Sequence, residues 1–124
     1  MLSASCYDAR TVSPGKTYTY EEALETFPRI QERTLEAVRE VELLYAGTGL
    51  QEEGDRRKSE LEEAVNEVVR KWAASILALG CEAKGLWLVD WDSGDGYYCW
   101  RYPEPSLAHY HSYDEGFAGR VPIQ

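Results

Sequence analysis

The chain has 124 residues, and 22 acidic against 13 basic side chains leave a formal charge of −9 at neutral pH. Extended phosphate contact needs clustered Lys and Arg to release counterions, so this balance argues against DNA or RNA as a partner. The length fits one domain that buries about two-thirds of the surface its unfolded form exposes, and no segment approaches the roughly 20 apolar residues of a membrane span.

Cys6, Cys81 and Cys99 are an odd number with no C-x-x-C pair, which suggests neither a disulfide framework nor a zinc knuckle. Reduced thiols and a cytoplasmic location are expected. Leu2 to Cys6 has neither the basic start nor the apolar run of a signal peptide. Residues 1–16, with Pro14-Gly15 near their end, show no sustained period and read as a flexible leader to a single α+β domain over 17–124.

Helix begins after the leader. Thr19 and Glu22 have the spacing of a capping box, and Phe27, Ile30, Thr34, Ala37, Val38, Val41, Leu44 and Tyr45 then recur at helical steps as one apolar stripe. Pro28 removes the hydrogen bond to the Leu24 carbonyl, predicting a kink or a short first helix, and Gly47 with Gly49 predicts the stop. A second helix carries Leu61, Val65, Val68, Trp72, Ile76 and Leu79, with Ser59 and Glu62 as a second capping box and Gly80 as its C′ residue. A short connection between facing stripes predicts a long antiparallel helical hairpin over about 20–80. Two helices cannot enclose both stripes, so the hairpin must pack on the rest of the chain, on a second copy of itself, or on both; dimerisation through the hairpin is the simplest solution, the run being too short for a coiled coil.

From about residue 85 the period changes to 2. Leu86 to Trp91 and Tyr97 to Tyr102 are rich in β-favouring residues around Asp92-Ser93-Gly94-Asp95-Gly96, which predicts a β-hairpin. Pro103 and Pro105 interrupt the ladder, Leu107 to His111 could add an edge strand, and the tail from Ser112 reads as loop. The prediction is a small antiparallel sheet of two to three strands behind the hairpin.

Thr19-Tyr20-Glu21-Glu22-Ala23 before Phe27-Pro28, then Gly85-Leu86, Val89-Asp90, Cys99-Trp100-Arg101, Glu104-Pro105, and His111 with Gly116-Phe117-Ala118-Gly119-Arg120, resembles a prokaryotic family known only as domain of unknown function 2203. The resemblance covers about residues 18 to 123 and implies a small prokaryotic protein with a helical hairpin and a C-terminal β-rich region. It supplies no activity. The chain departs from the family pattern at Asp92 and Pro103, at Ser112, where an acid is frequent, and at His109, a position usually aromatic.

Chemistry gathers at the end of the chain. On a strand His109 and His111 share a face, so both could ligate one divalent metal, with Asp114 or Glu115 arriving from the next turn. Structural hydrogen bonding by the two imidazoles is the simpler expectation, and no cofactor is predicted. Alternation also puts Asp90 on the face of Tyr97, Cys99 and Arg101, so Arg101 could pair with Asp90 as structural glue. Alternatively Asp90, Arg101, Glu104 and His111 line one pocket in which Arg101 orients an anion. Cys99 could serve as a thiolate, but a cysteine among strand aromatics is ordinarily inert. Gly116 and Gly119 fit a tight turn delivering Phe117 into an apolar gap and Arg120 to a carboxylate, not a phosphate loop. No complete catalytic motif is present. The residues favour a non-enzymatic, homodimeric interaction or small-ligand-binding module, with Arg101, Arg120 and Cys99 as ligand contacts. The competing reading is metal-assisted or acid–base hydrolysis by His111 with Asp90, Glu104 or Asp114.

Overall fold

A computed structural model describes residues 16–48 and 55–123; the expected leader falls almost wholly outside them. Helix α1, Tyr20–Thr48, opens with the predicted capping box. The Glu22 backbone N–H donates to Thr19 Oγ1 at 3.1 Å, and the Thr19 N–H donates to Glu22 Oε1 at 2.9 Å. The helix is unbroken through Pro28 and also takes in Gly47, so neither residue ends it. Burial explains the first: Phe27 packs its ring against Trp91 and Trp100, and Ile30 is fully buried, so tertiary packing on both sides of Pro28 holds the helical path.

Helix α2, Asp55–Ala78, begins four residues before Ser59, which is therefore inside the helix and not its cap. Its end is as expected. The Gly80 N–H donates to Leu77 O and the Cys81 N–H to Ile76 O, the two bonds of a Schellman motif, with Gly80 at φ +89°. A Cβ there would also collide with the Tyr18 hydroxyl, which donates to Leu79 O.

Five strands follow: β1 Glu82–Gly85, β2 Leu88–Asp92, β3 Gly96–Arg101, β4 His109–Ser112 and β5 Val121–Pro122, with a 3₁₀ turn at Phe117–Gly119 before the last. They form one antiparallel meander in chain order, five strands where two to three were predicted. The two extra strands are the sheet's edges. Glu-Ala-Lys-Gly shows no apolar alternation, and the tail, expected to be loop, adds a two-residue strand whose proline only an edge tolerates. Leu86 lies in the β1–β2 turn and not in a strand, and β4 starts at His109 instead of Leu107.

Strand alternation divides the sheet into two faces. Val89, Trp91, Tyr98 and Trp100 look toward the helices and form one core with Ala23, Phe27, Ile30, Ala37, Trp72 and Ile76. Thr34 is buried in the stripe because it has a partner: Trp72 Nε1–H donates to its Oγ1 at 2.9 Å, and that hydroxyl donates to Ile30 O. Trp87, the second residue of the β1–β2 turn, sits at φ +59°, where a bulky side chain is strained, and its ring stands edge-on to Trp72 at 4.9 Å.

At about 1.5 Å per residue the helices outrun the strands. Beyond Val38 and before Trp72 their inner positions Val41, Leu44, Leu61 and Val65 are only half-buried. No helix among the described residues is long and apolar enough to cross a membrane. The opposite sheet face carries Asp90, Asp92, Tyr97, Cys99, Arg101, His109 and His111, away from the helices.

Candidate functional site

Three elements position the site. Strand β2 supplies Asp90, β3 sets Cys99 directly opposite it, and β4 sets His111 opposite Tyr97. Sheet twist brings the imidazole diagonally over the carboxylate, so His111 Nε2 lies 3.0 Å from Asp90 Oδ2. Asp90, Cys99 and His111 are 1%, 0% and 4% exposed, and one ligand atom from each lies within 4.8 Å of the other two. Tyr97 tilts over the imidazole at 5.4 Å, and Tyr113 stands edge-on to Tyr97 while its hydroxyl donates to Asp92. Asp92 also accepts from the Gly94 N–H and so organises the turn into β3.

Hydrogen-bond accounting defines the electrostatics. His111 Nδ1 faces the Ser112 carbonyl at 2.8 Å and must carry a proton, because a carbonyl only accepts. Nε2 faces a carboxylate oxygen, which in its ionised form also only accepts. A proton or another positive centre must therefore stand between His111 and Asp90. The second carboxylate oxygen, Asp90 Oδ1, is buried with no hydrogen-bond partner. Lys84 of β1 reaches Asp90 Oδ2 at 3.7 Å while holding Glu82 at 3.4 Å and covering the Tyr97 ring. Burial pulls the Lys84 ammonium down, but Glu82 and Asp90 together hold it above its ordinary range. Burial, reinforced by the charge of Asp90, pushes the Cys99 thiol up to about 12.

The expected metal set is not the one that converges. Asp114 is exposed in the turn after β4, and His109, although on the face of His111, lies outside the Asp90–Cys99–His111 group. Residues two apart on a strand stand about 7 Å apart, so the sheet completes the cluster across strands and not along one. His109 lies opposite Cys99 with its Nδ1 buried and without a partner.

Nor do Arg101 and Glu104 join His111. Arg101 is exposed and lies over the Phe117 ring at 5.1 Å, so Asp90 pairs with Lys84 and His111 instead. Phe117 fills no apolar gap. It is 38% exposed between the guanidiniums of Arg101 and Arg120. Arg120 does reach the expected carboxylate: Nη1 and Nη2 donate to Glu104 at 3.0 and 2.6 Å. Glu104 also accepts from the Arg101 N–H, which makes it a clasp between β3 and the C-terminal turn. Sequence reasoning missed Lys84 and Glu82, and the signal for them was slight: two charges two apart in a stretch too polar to read as strand.

A separate groove of about 510 Å³ opens between α1 and the β3–β4 connection, lined by Pro28, Leu35, Tyr102, Pro103 and Glu104 among others. It lies away from the buried cluster and shares none of its three residues.

No curated protein and no solved structure matches the chain. A family model does, over residues 16–123, with the description uncharacterized conserved protein (DUF2203). The match spans the capping box, the hairpin, the whole sheet and the Gly116–Arg120 turn, so the chain belongs to the DUF2203 family.

Proposed function

We propose that the protein is a non-enzymatic, homodimeric small-ligand-binding module whose ligand is a cation seated at Asp90, Cys99 and His111. One observation carries this reading. His111 Nε2 and Asp90 Oδ2 face each other at 3.0 Å, with a proton or another positive centre required between them, in a buried site whose other carboxylate oxygen has no hydrogen-bond partner. A buried carboxylate costs several kcal/mol, of order, unless a positive group meets it. Lys84 is shared between Glu82 and Asp90, and Arg120 is paired with Glu104, so around the cluster three carboxylates face two lysine and arginine charges.

The burial of the cluster weighs toward binding over hydrolysis, since a hydrolase must bring substrate and water to His111. The half-buried inner positions Val41, Leu61 and Val65 toward the free end of the hairpin support it as the dimer seam. Cys81 and Cys99 are free and buried, which suits the reducing cytoplasm.

Native mass spectrometry of untagged protein purified without chelator tests both halves. The expected species is two chains with one bound cation each, and His111→Ala should lose both cations while remaining dimeric. A folded single chain with no added mass contradicts both halves.

A further inference from the structure

We infer that the cation is one divalent d-block ion of borderline softness, zinc-like in type, held by the Cys99 sulfur, His111 Nε2 and the Asp90 carboxylate, with Lys84 the group it displaces. The inference rests on the cation-binding reading above and names its chemistry. Sulfur, imidazole and carboxylate together suit Zn²⁺ and its d-block neighbours; Mg²⁺ and Ca²⁺ take oxygen ligands.

Geometry supports the assignment. The three ligand atoms lie within 4.8 Å of one another, and tetrahedral coordination would set them about 3.3–3.8 Å apart, an adjustment side-chain rotation can supply. The Nδ1–H of His111 donates to the Ser112 carbonyl, the arrangement that leaves Nε2 free as a ligand and fixes the ring's orientation. Asp90 Oδ1 is a spare donor atom inside the cluster.

Lys84 is placed as the cation's counterpart. Its ammonium lies 3.7 Å from Asp90 Oδ2, on an edge strand and partly exposed, between the buried cluster and solvent. A dication on Asp90 would repel it, and Glu82, already 3.4 Å away, is the carboxylate to which it can withdraw. Arg120 is the other cation near Cys99, and Glu104 neutralises it through a bidentate pair. Protons balance on binding: the thiol proton and the proton between His111 and Asp90 leave to solvent.

The test is a competition titration of the full chain against a chromophoric chelator, with Zn²⁺, Mg²⁺ and Ca²⁺, on wild type, Cys99→Ser and Lys84→Met. The expected result is one Zn²⁺ per chain with no displacement by Mg²⁺ or Ca²⁺. Cys99→Ser should weaken Zn²⁺ on the order of 100-fold, and Lys84→Met, at a partly exposed position that leaves the cluster intact, should tighten it on the order of tenfold. Co²⁺ should give a thiolate charge-transfer band that Cys99→Ser abolishes. Equal binding of Mg²⁺ or Ca²⁺ with Cys99→Ser unchanged overturns this inference and leaves the cation reading standing. Weaker or unaltered Zn²⁺ binding in Lys84→Met overturns the displacement. Failure of every cation to bind removes the underlying reading.

Discussion

His111 and Asp90 meet on the sheet face away from the helices, with Lys84 beside them. A carboxylate in an apolar strand and an H-x-H pair announce themselves, but the 3.0 Å contact between them spans two strand pairings, and its formation depends on sheet twist that local patterning does not encode. Glu104 illustrates the converse. It was a candidate acid, and its surroundings make it a structural clasp. Burial pushes its carboxyl up, but the hydrogen bonds from Arg120 and the Arg101 N–H, together with the Arg120 charge, outweigh that and hold it below its ordinary value of 4.5. A depressed carboxyl contributes stability that is present above the unfolded-state value and lost as pH falls through the folded one. Glu104→Gln should therefore cost about 1–2 kcal/mol at neutral pH, with the gap to wild type closing as pH falls below that ordinary value. Urea unfolding across pH 3 to 7 measures this, and a gap that is the same at both ends would contradict the clasp.

At the scale of elements, both helices were readable because their stripes keep a 3.6-residue period over many turns and their ends carry chemistry of their own. The capping box at Thr19 and the Schellman glycine at Gly80 stand where the sequence places them. The second capping box at Ser59 did not, because α2 continues four residues upstream through charged residues that carry no apolar period. The sheet was half readable: central strands alternate and are aromatic, whereas the edges are short and polar, so their pairing is decided by neighbours. Gly96 shows how closely those neighbours approach. A Cβ there would stand 2.5 Å from the Tyr110 hydroxyl and 2.6 Å from the His111 carbonyl. Gly96→Ala should push β4 from β3 at a cost of about 1–3 kcal/mol and loosen His111 with it. Unchanged thermal stability in that variant would contradict the close packing of the two strands.

For the whole molecule, the α+β class followed from the change of period near residue 85, and the stripes were left to pack on the rest of the chain, on a second hairpin, or on both. The sheet's aromatic face covers the half from Ala23 to Val38, and the free end of the hairpin stays half-buried. The same placement of helices on one face leaves the other to the charged residues, and there the burial of Asp90, Cys99 and His111 under Lys84 and Tyr97 creates the one strongly polar interior cluster among the described residues. That site is the centre of the functional account. Elemental analysis of untagged protein purified without chelator, beside folded Asp90→Asn and His111→Ala variants, tests it most directly. The account predicts close to one zinc-type ion per wild-type chain, lost in both variants. Wild-type protein that stays metal-free even after incubation with Zn²⁺ would contradict it.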